Sequence, residues 1–176
     1  MNPFRVESSR LLVRAWRETD RPELERMTSD SEMMRYVSHG KSWTASDVDE
    51  FLQRQQRHLD SHGYCIGAMT HRNDDQVIGL AGLQPLGSTG ETELAWWVWK
   101  AYWGRGYATE AARAMVEHAF NTVGLSRLVA IVDPPNLASI RVMEKLGMHH
   151  EGRRNAHELE PRHPDIEVEM YVLVRE

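Results

Sequence analysis

Glu91-Thr-Glu-Leu-Ala-Trp-Trp-Val-Trp-Lys-Ala-Tyr-Trp-Gly-Arg-Gly-Tyr-Ala-Thr-Glu-Ala111 organises the reading of this chain. An aromatic-rich apolar stretch runs into a short glycine loop, and the loop opens directly into a helical pattern. A strand–loop–helix joint of this kind turns several unpaired backbone N–H groups toward one point, and the positive end of the helix dipole adds to them. That combination suits a phosphate group.

Beyond the loop, Ala108, Ala111, Ala112, Met115, Val116, Ala119, Phe120 and Val123 recur at i, i+3 and i+4. The pattern predicts an amphipathic helix of about four turns, ended by Gly124 in the left-handed conformation. Leu128-Val-Ala-Ile-Val132 is an unbroken apolar run, as in a strand buried on both faces. It lies one helix after Thr92–Trp99, so the two strands are expected to be parallel through a right-handed crossover. Asn136 to Leu146 reads as a further helix stopped by Gly147, and Glu167–Val174 alternates as a last strand.

Toward the N-terminus, Tyr64–Thr70 and Gln76–Leu83 are strand-like. Asn73-Asp74-Asp75 joins them, and Gly87–Gly90 leads on to Thr92–Trp99. Connections this short predict antiparallel neighbours. Arg10–Trp16 is a first strand. Asp20-Arg-Pro-Glu23 reads as a helix start, with Asp20 as cap and Glu23 completing a capping box. Thr44-Ala-Ser-Asp47 starts a second helix, carrying Val48, Phe51, Leu52 and Leu59 at helical spacing. Trp96, Trp97 and Trp99 fit a single strand face poorly, which predicts a bulge near Trp97. The sum is an α/β chain: a mixed sheet with helices on its faces. No repeat or linker interrupts it, so residues 1–176 read as one domain.

Bulk properties narrow the function. The 176 residues, 41% hydrophobic and 27% charged, are ordinary for a soluble globular protein. A net charge of −5 argues against nucleic acid as the main partner, since phosphate backbones call for a basic face. The single cysteine, Cys65, allows no intrachain disulfide and suits a reducing compartment. Met1 to Leu12 holds no apolar core of signal-peptide length, and no stretch approaches the roughly 18 apolar residues of a membrane span. A cytoplasmic protein without a membrane partner is expected.

Trp103-Gly-Arg-Gly-Tyr-Ala108 places small residues where backbone must approach a ligand closely. It is not a P-loop, since no Gly-Lys-Ser/Thr follows. Nor is it a dinucleotide fingerprint, having two glycines and no acidic residue ending a following strand. Taken alone, the glycine pair is equally compatible with a tight turn that binds nothing.

The wider pattern resembles the GNAT acetyltransferases. Their acetyl-CoA motif is written Gln/Arg-x-x-Gly-x-Gly/Ala; Gly106 and Ala108 match its last two positions, and Trp103 departs from the first. Tyr-Trp-Gly-Arg-Gly-Tyr-Ala-Thr-Glu-Ala looks most like the RimJ/RimL branch, which acetylates N-termini of ribosomal proteins. Pro135-Asn-Leu-Ala-Ser-Ile-Arg-Val-Met-Glu-Lys-Leu-Gly147 looks like the second half of the family's cofactor site. The resemblance covers nearly the whole chain. It implies a mostly antiparallel sheet with helices on both faces and a splayed parallel strand pair that holds the cofactor arm.

The same resemblance implies roles. Main-chain groups of Arg105, Gly106, Tyr107, Ala108 and Thr109 would hold the pyrophosphate of acetyl-CoA. Those of Trp97, Val98 and Trp99 would pair with the pantetheine arm and polarise the thioester carbonyl. Asn136 and Ser139 sit where the family has a polar pair beside the pantetheine, although Asn136 is equally a good helix cap. Ser139 is the candidate to protonate the leaving thiolate, or else a second local cap. Met143 stands where many relatives carry an acidic tyrosine, a departure that leaves Ser139, a water or no specific acid. An amine attacks only when neutral, so a base is expected; Glu93 is the candidate, the alternative being an exposed strand residue beside Glu91. Glu110 is expected to support the helix N-terminus.

The expected reaction is therefore direct acetyl transfer from acetyl-CoA to a primary amine in a ternary complex. The acceptor is a protein N-terminus by resemblance, or a small amine such as a polyamine, amino acid or aminoglycoside. A non-catalytic acyl-CoA sensor is the reading from another class, which Met143 favours. Relatives are often dimers, so a homodimer is open. Cys65 reads as core. The nine histidines match no zinc spacing, so no metal is expected. Trp43 and Trp103 are candidates to line a substrate cleft, and the loop His157–Asp165 to wall it.

Overall fold

A computed structural model describes residues 4–37 and 40–175. Its strands are β1 (Arg5–Glu7), β2 (Leu11–Arg14), β3 (Ile66–His71), β4 (Val77–Pro85), β5 (Thr92–Val98), β6 (Arg127–Val132), β7 (His149–Asn155) and β8 (Glu167–Val174). They form one sheet in the order β1-β2-β3-β4-β5-β6-β8-β7. Every neighbouring pair is antiparallel except β5–β6, which is parallel as its crossover required. The helices are α1 (Arg21–Ser29), α2 (Ala45–His62), α3 (Tyr107–His118), α4 (Leu137–Lys145) and α5 (Ala156–Leu159).

The alternation of β5 sorts the core into two layers. Leu94, Trp96 and Val98 join Ala111, Ala112 and Met115 of α3 in the larger cluster. Ala95, Trp97 and Trp99 turn to the opposite face, packing with Leu24 and Met27 of α1 and Val48 and Phe51 of α2. The expected bulge near Trp97 does not form: the β4–β5 register runs unbroken from Gly79↔Val98 to Pro85↔Thr92. Helices cover both faces of β5, so large aromatic residues are accommodated on each without a break in the alternation.

Helix α2 starts as its sequence dictates. Thr44 Oγ1 accepts from the Asp47 N–H at 3.2 Å, and the Asp47 carboxylate accepts from the Thr44 N–H at 2.7 Å. Asp20 does not cap α1. Its carboxylate instead accepts from Arg14 Nη1 at 2.7 Å, Arg14 Nη2 at 3.0 Å and the Arg17 N–H at 2.8 Å. Arg14 is buried in β2, and a buried guanidinium needs a carboxylate more than an open helix end does.

Helix α3 continues into a π-helical turn, Ala119–Val123, before Gly124 ends it at φ 84°. The segment read as a loop from His157 begins inside a single helical turn, α5, which Asn155 caps through the His157 and Glu158 N–H groups. Strands β1 and β7 carry little periodic signal. β1 has three residues, and β7 is charged and mostly exposed on both faces.

Candidate active site

Two left-handed glycines shape the loop between β5 and α3: Gly104 at φ 73° and Gly106 at φ 79°. A side chain in that conformation costs roughly 1–2 kcal/mol. Gly106 is the N-cap of α3 and has no side chain with which to cap it. The first helical bond is Glu110 N–H to Gly106 C=O at 3.0 Å. The N–H groups of Tyr107, Ala108 and Thr109 precede it and have no intrahelical acceptor. These donors fit a pyrophosphate, with Arg105 exposed beside them.

The base of the loop is fixed from below. Arg10 pairs with Glu110 at 2.6 Å, donates to the Arg105 carbonyl at 3.1 Å and lies 4.4 Å from the Tyr107 ring centre. The Ser8 hydroxyl and the Arg10 N–H also donate to Glu110. Glu110 thus ties the β1–β2 turn to α3. A recess of about 560 Å³ adjoins Gly106 and Thr109, with Arg113 and Lys145 on its wall.

β5 and β6 touch at one register pair, Glu93↔Val129, and splay beyond it. Antiparallel pairing alternates which residues turn their main-chain groups to a given neighbour. The Trp99 N–H donates to the Ile78 carbonyl of the β4 side at 2.8 Å, and Trp97, opposite Leu80, is in the same phase. Main-chain groups of Trp97 and Trp99 therefore belong to the β4 ladder, against the sequence expectation. Those of Trp96 and Val98 face the gap. Trp103 does not line the cleft either. Half exposed, it donates its indole N–H to the Val98 carbonyl at 2.6 Å, fastening the end of β5 beside the glycine loop.

The gap opens into a cavity of about 1050 Å³. Glu93, Trp97, Asn136, Ser139 and Met143 all reach it, so β5 and α4 are brought to one place. Trp43 and Phe51 give it an aromatic wall, and the segment from Ala156 to Pro164 closes another side. Glu93 is not an exposed strand residue: it is 7% exposed. Its carboxylate accepts from Gln84 Nε2 at 2.7 Å. Burial raises its pKa to about 7, against the Gln84 hydrogen bond, with Glu160 adding to the rise and Arg162 opposing it. A carboxyl that changes charge near neutrality can take a proton from a cationic amine.

Asn136 is the α4 cap, accepting from the Ser139 N–H at 3.2 Å, and it also lines the cavity. Among the described residues the Ser139 hydroxyl makes no hydrogen bond, so it is not a second cap. Met143 is buried, and it brings no titratable group to the wall. Cys65 is buried, and burial pushes its thiol up to about 12, far from a thiolate nucleophile. Among the described residues no group of three or more His, Cys, Asp or Glu could hold a metal, and no helix is long and apolar enough to cross a membrane.

Several wall residues carry no signal of their role in the sequence pattern: Gln84, Arg54, Glu160 and Arg162. Arg162 and Glu160 form a two-point pair at 2.9 and 2.7 Å. Gln84 is within reach of sequence reasoning, because it sits opposite Glu93 once the β4–β5 hairpin is registered. Glu160 and Arg162 belong to the loop His157–Asp165, expected on the wall without either residue being singled out, and Arg54 comes from α2, whose placement over the sheet has no local signal.

Comparison with known proteins agrees with this geometry. A family model described as an acetyltransferase (GNAT) domain matches residues 10–149. The uncharacterized N-acetyltransferase YnaD of Bacillus subtilis is 31% identical over 147 residues, 84% of each chain. An acetyltransferase from Agrobacterium tumefaciens superposes with a TM-score of 0.83 at 25% identity, over 99% of this chain and 96% of that one. RimL, a ribosomal alpha-N-protein acetyltransferase solved with coenzyme A, shares the fold with a TM-score of 0.76 at 17% identity, over 97% of each chain. The open helix end, the splayed strands and the family match agree: this chain belongs to the GNAT acetyltransferases, enzymes that use acetyl-CoA.

Proposed function

We propose that this enzyme moves the acetyl group of acetyl-CoA to a primary amine by direct attack, both substrates being bound at once. The observation that carries this reading is Glu93, a buried carboxyl on the wall of the cavity into which the β5–β6 gap opens. In this reading the amides of Arg105 to Thr109 hold the pyrophosphate, and main-chain groups of Trp96 and Val98 pair with the pantetheine arm. The amine nitrogen bonds to the thioester carbon, Glu93 accepts its proton, and the C–S bond breaks. Ser139 relays a proton to the departing sulfur and regains one from solvent, to which Glu93 releases the proton it took. Asn136 holds the first turn of α4 so that the Ser139 hydroxyl stays in the cavity. Side-by-side binding supplies much of the rate by positioning.

A protein or peptide N-terminal amine is the first acceptor to test, on the RimJ/RimL-like wording of Tyr102–Ala111. A small amine is the second reading, favoured by a cavity walled by aromatic and charged side chains. The test is calorimetric titration with coenzyme A, followed by acetyl-CoA turnover against panels of N-terminal peptides and small amines. Saturable binding with acetylated product is expected. Saturable binding without product on either panel would favour a sensor.

A further inference from the structure

The cavity wall carries a part-buried cation whose charge the protein matches only loosely, through a long ion pair and the face of Phe51 at 5.5 Å. Arg54 on α2 lines the wall. Among the described residues its guanidinium makes no hydrogen bond, and its Nε is buried without a partner. Its ion pair is loose: Nη1 lies 3.9 Å from Glu50, whose side chain is 65% exposed. Two other carboxyls on the same wall have partners of their own, Glu160 in Arg162 and Glu93 in Gln84, although Glu160 still lends Arg54 some long-range support. The neighbouring cation Arg162 adds repulsion rather than relief, and burial lowers the Arg54 pKa to about 10.

Leaving a buried charged donor unsatisfied is costly. A guanidinium presents its donors in a planar fork that suits a carboxylate. We propose that Arg54 receives a carboxylate carried by the acceptor, so that the preferred substrates are amines bearing an anionic group. The amine end then faces Glu93 while the acid end faces α2. This rests on the reading of the cavity as the acceptor site. The carboxylate can belong to a free amino acid or to an acidic residue near a peptide N-terminus.

The test uses matched acceptor pairs with acetyl-CoA: phenylalanine against phenylalaninamide, leucine against leucinamide, and Ser-Glu-Ala-amide against Ser-Gln-Ala-amide. Each is assayed with the wild type, Arg54→Gln, Arg54→Lys and the exposed control Arg57→Gln. Comparing variant with wild type within a pair cancels differences in amine basicity. For carboxylated acceptors, Arg54→Gln should lower kcat/KM about tenfold or more, mainly through KM. The carboxamides should change little, the KM for acetyl-CoA should hold, and Arg54→Lys should restore part of the loss. A loss confined to the amino-acid pairs identifies a free acid; one confined to the peptide pair identifies an acidic chain residue. Equal losses on both members of every pair, or no loss on any, overturn the proposal. So does a wild type that prefers the carboxamides. Turnover of none of the six, with coenzyme A binding intact by calorimetry, defeats the acceptor reading of the cavity and this proposal with it. Loss of coenzyme A binding as well would place the failure in the acetyltransferase reading.

Discussion

Gln84 and Glu93 face each other across the β4–β5 ladder, and Gln84 Nε2 donates to Glu93 Oε2 at 2.7 Å. This bond is the strongest influence holding the Glu93 carboxyl down against its burial. Gln84→Met removes the donor at similar volume. The rising limb of the pH–rate profile should move to higher pH, with the acetyl-CoA KM unchanged. Steady-state kinetics between pH 5.5 and 9 measure the displacement.

Glu93 also links stability to pH. Its folded pKa of about 7 lies above the ordinary value of 4.5, so the folded state favours the neutral acid. Its contribution to stability is fully present below 4.5 and is lost as pH rises through 7. Glu93→Gln, which cannot ionise, should therefore stabilise the apo protein at pH 8 by up to about 3 kcal/mol. The gain should vanish near pH 4.5. Urea denaturation at the two pH values measures it.

Ser139→Ala removes a hydroxyl that makes no hydrogen bond among the described residues. Stability should hardly change, because Asn136 still caps α4 through the residue 139 N–H. If Ser139 protonates the sulfur, kcat should fall by roughly 10²-fold, the lower end of the range for acid–base catalysis, with coenzyme A affinity retained. Single-turnover kinetics read the chemical step directly.

The Arg14–Asp20 pair predicts a stability effect away from the cavity. Both side chains are less than a tenth exposed. Arg14→Met strands Asp20 without its guanidinium partner, at a cost of about 3–5 kcal/mol. The urea midpoint should drop with no change in slope, and a double variant with Asp20→Asn should recover part of the loss. An unchanged midpoint would mean that the pair contributes nothing net.

Elements built on strong periodicity are legible in the amino-acid pattern alone. The run Ala108–Val123 and the strand Leu128–Val132 emerge where their patterns place them, and the parallel β5–β6 pair follows from one helical crossover. Pattern and fold part where tertiary partners outweigh local chemistry. Asp20 is a good cap by type, yet a buried arginine six residues earlier claims it. Trp97 suggests a bulge only because coverage of both β5 faces cannot be read from the strand itself. Main-chain partners of the gap depend on hydrogen-bond phase, which the β4 pairing fixes, so of the expected Trp97, Val98 and Trp99 only Val98 faces the gap, with Trp96 beside it. Arg54 is silent for a related reason. Its position on α2 is plain, but that α2 lies over the same cavity as Glu93 is a fact of packing.

In the proposed mechanism Glu93 takes the proton of the attacking amine. The direct measurement is the pH dependence of kcat/KM, wild type against Glu93→Gln, on any acceptor the enzyme turns over. The wild type should show a rising limb with an apparent pKa near 7, and the variant should lose that limb along with roughly 10²-fold or more in rate. A variant that keeps full rate and the same limb would show that Glu93 is not the base.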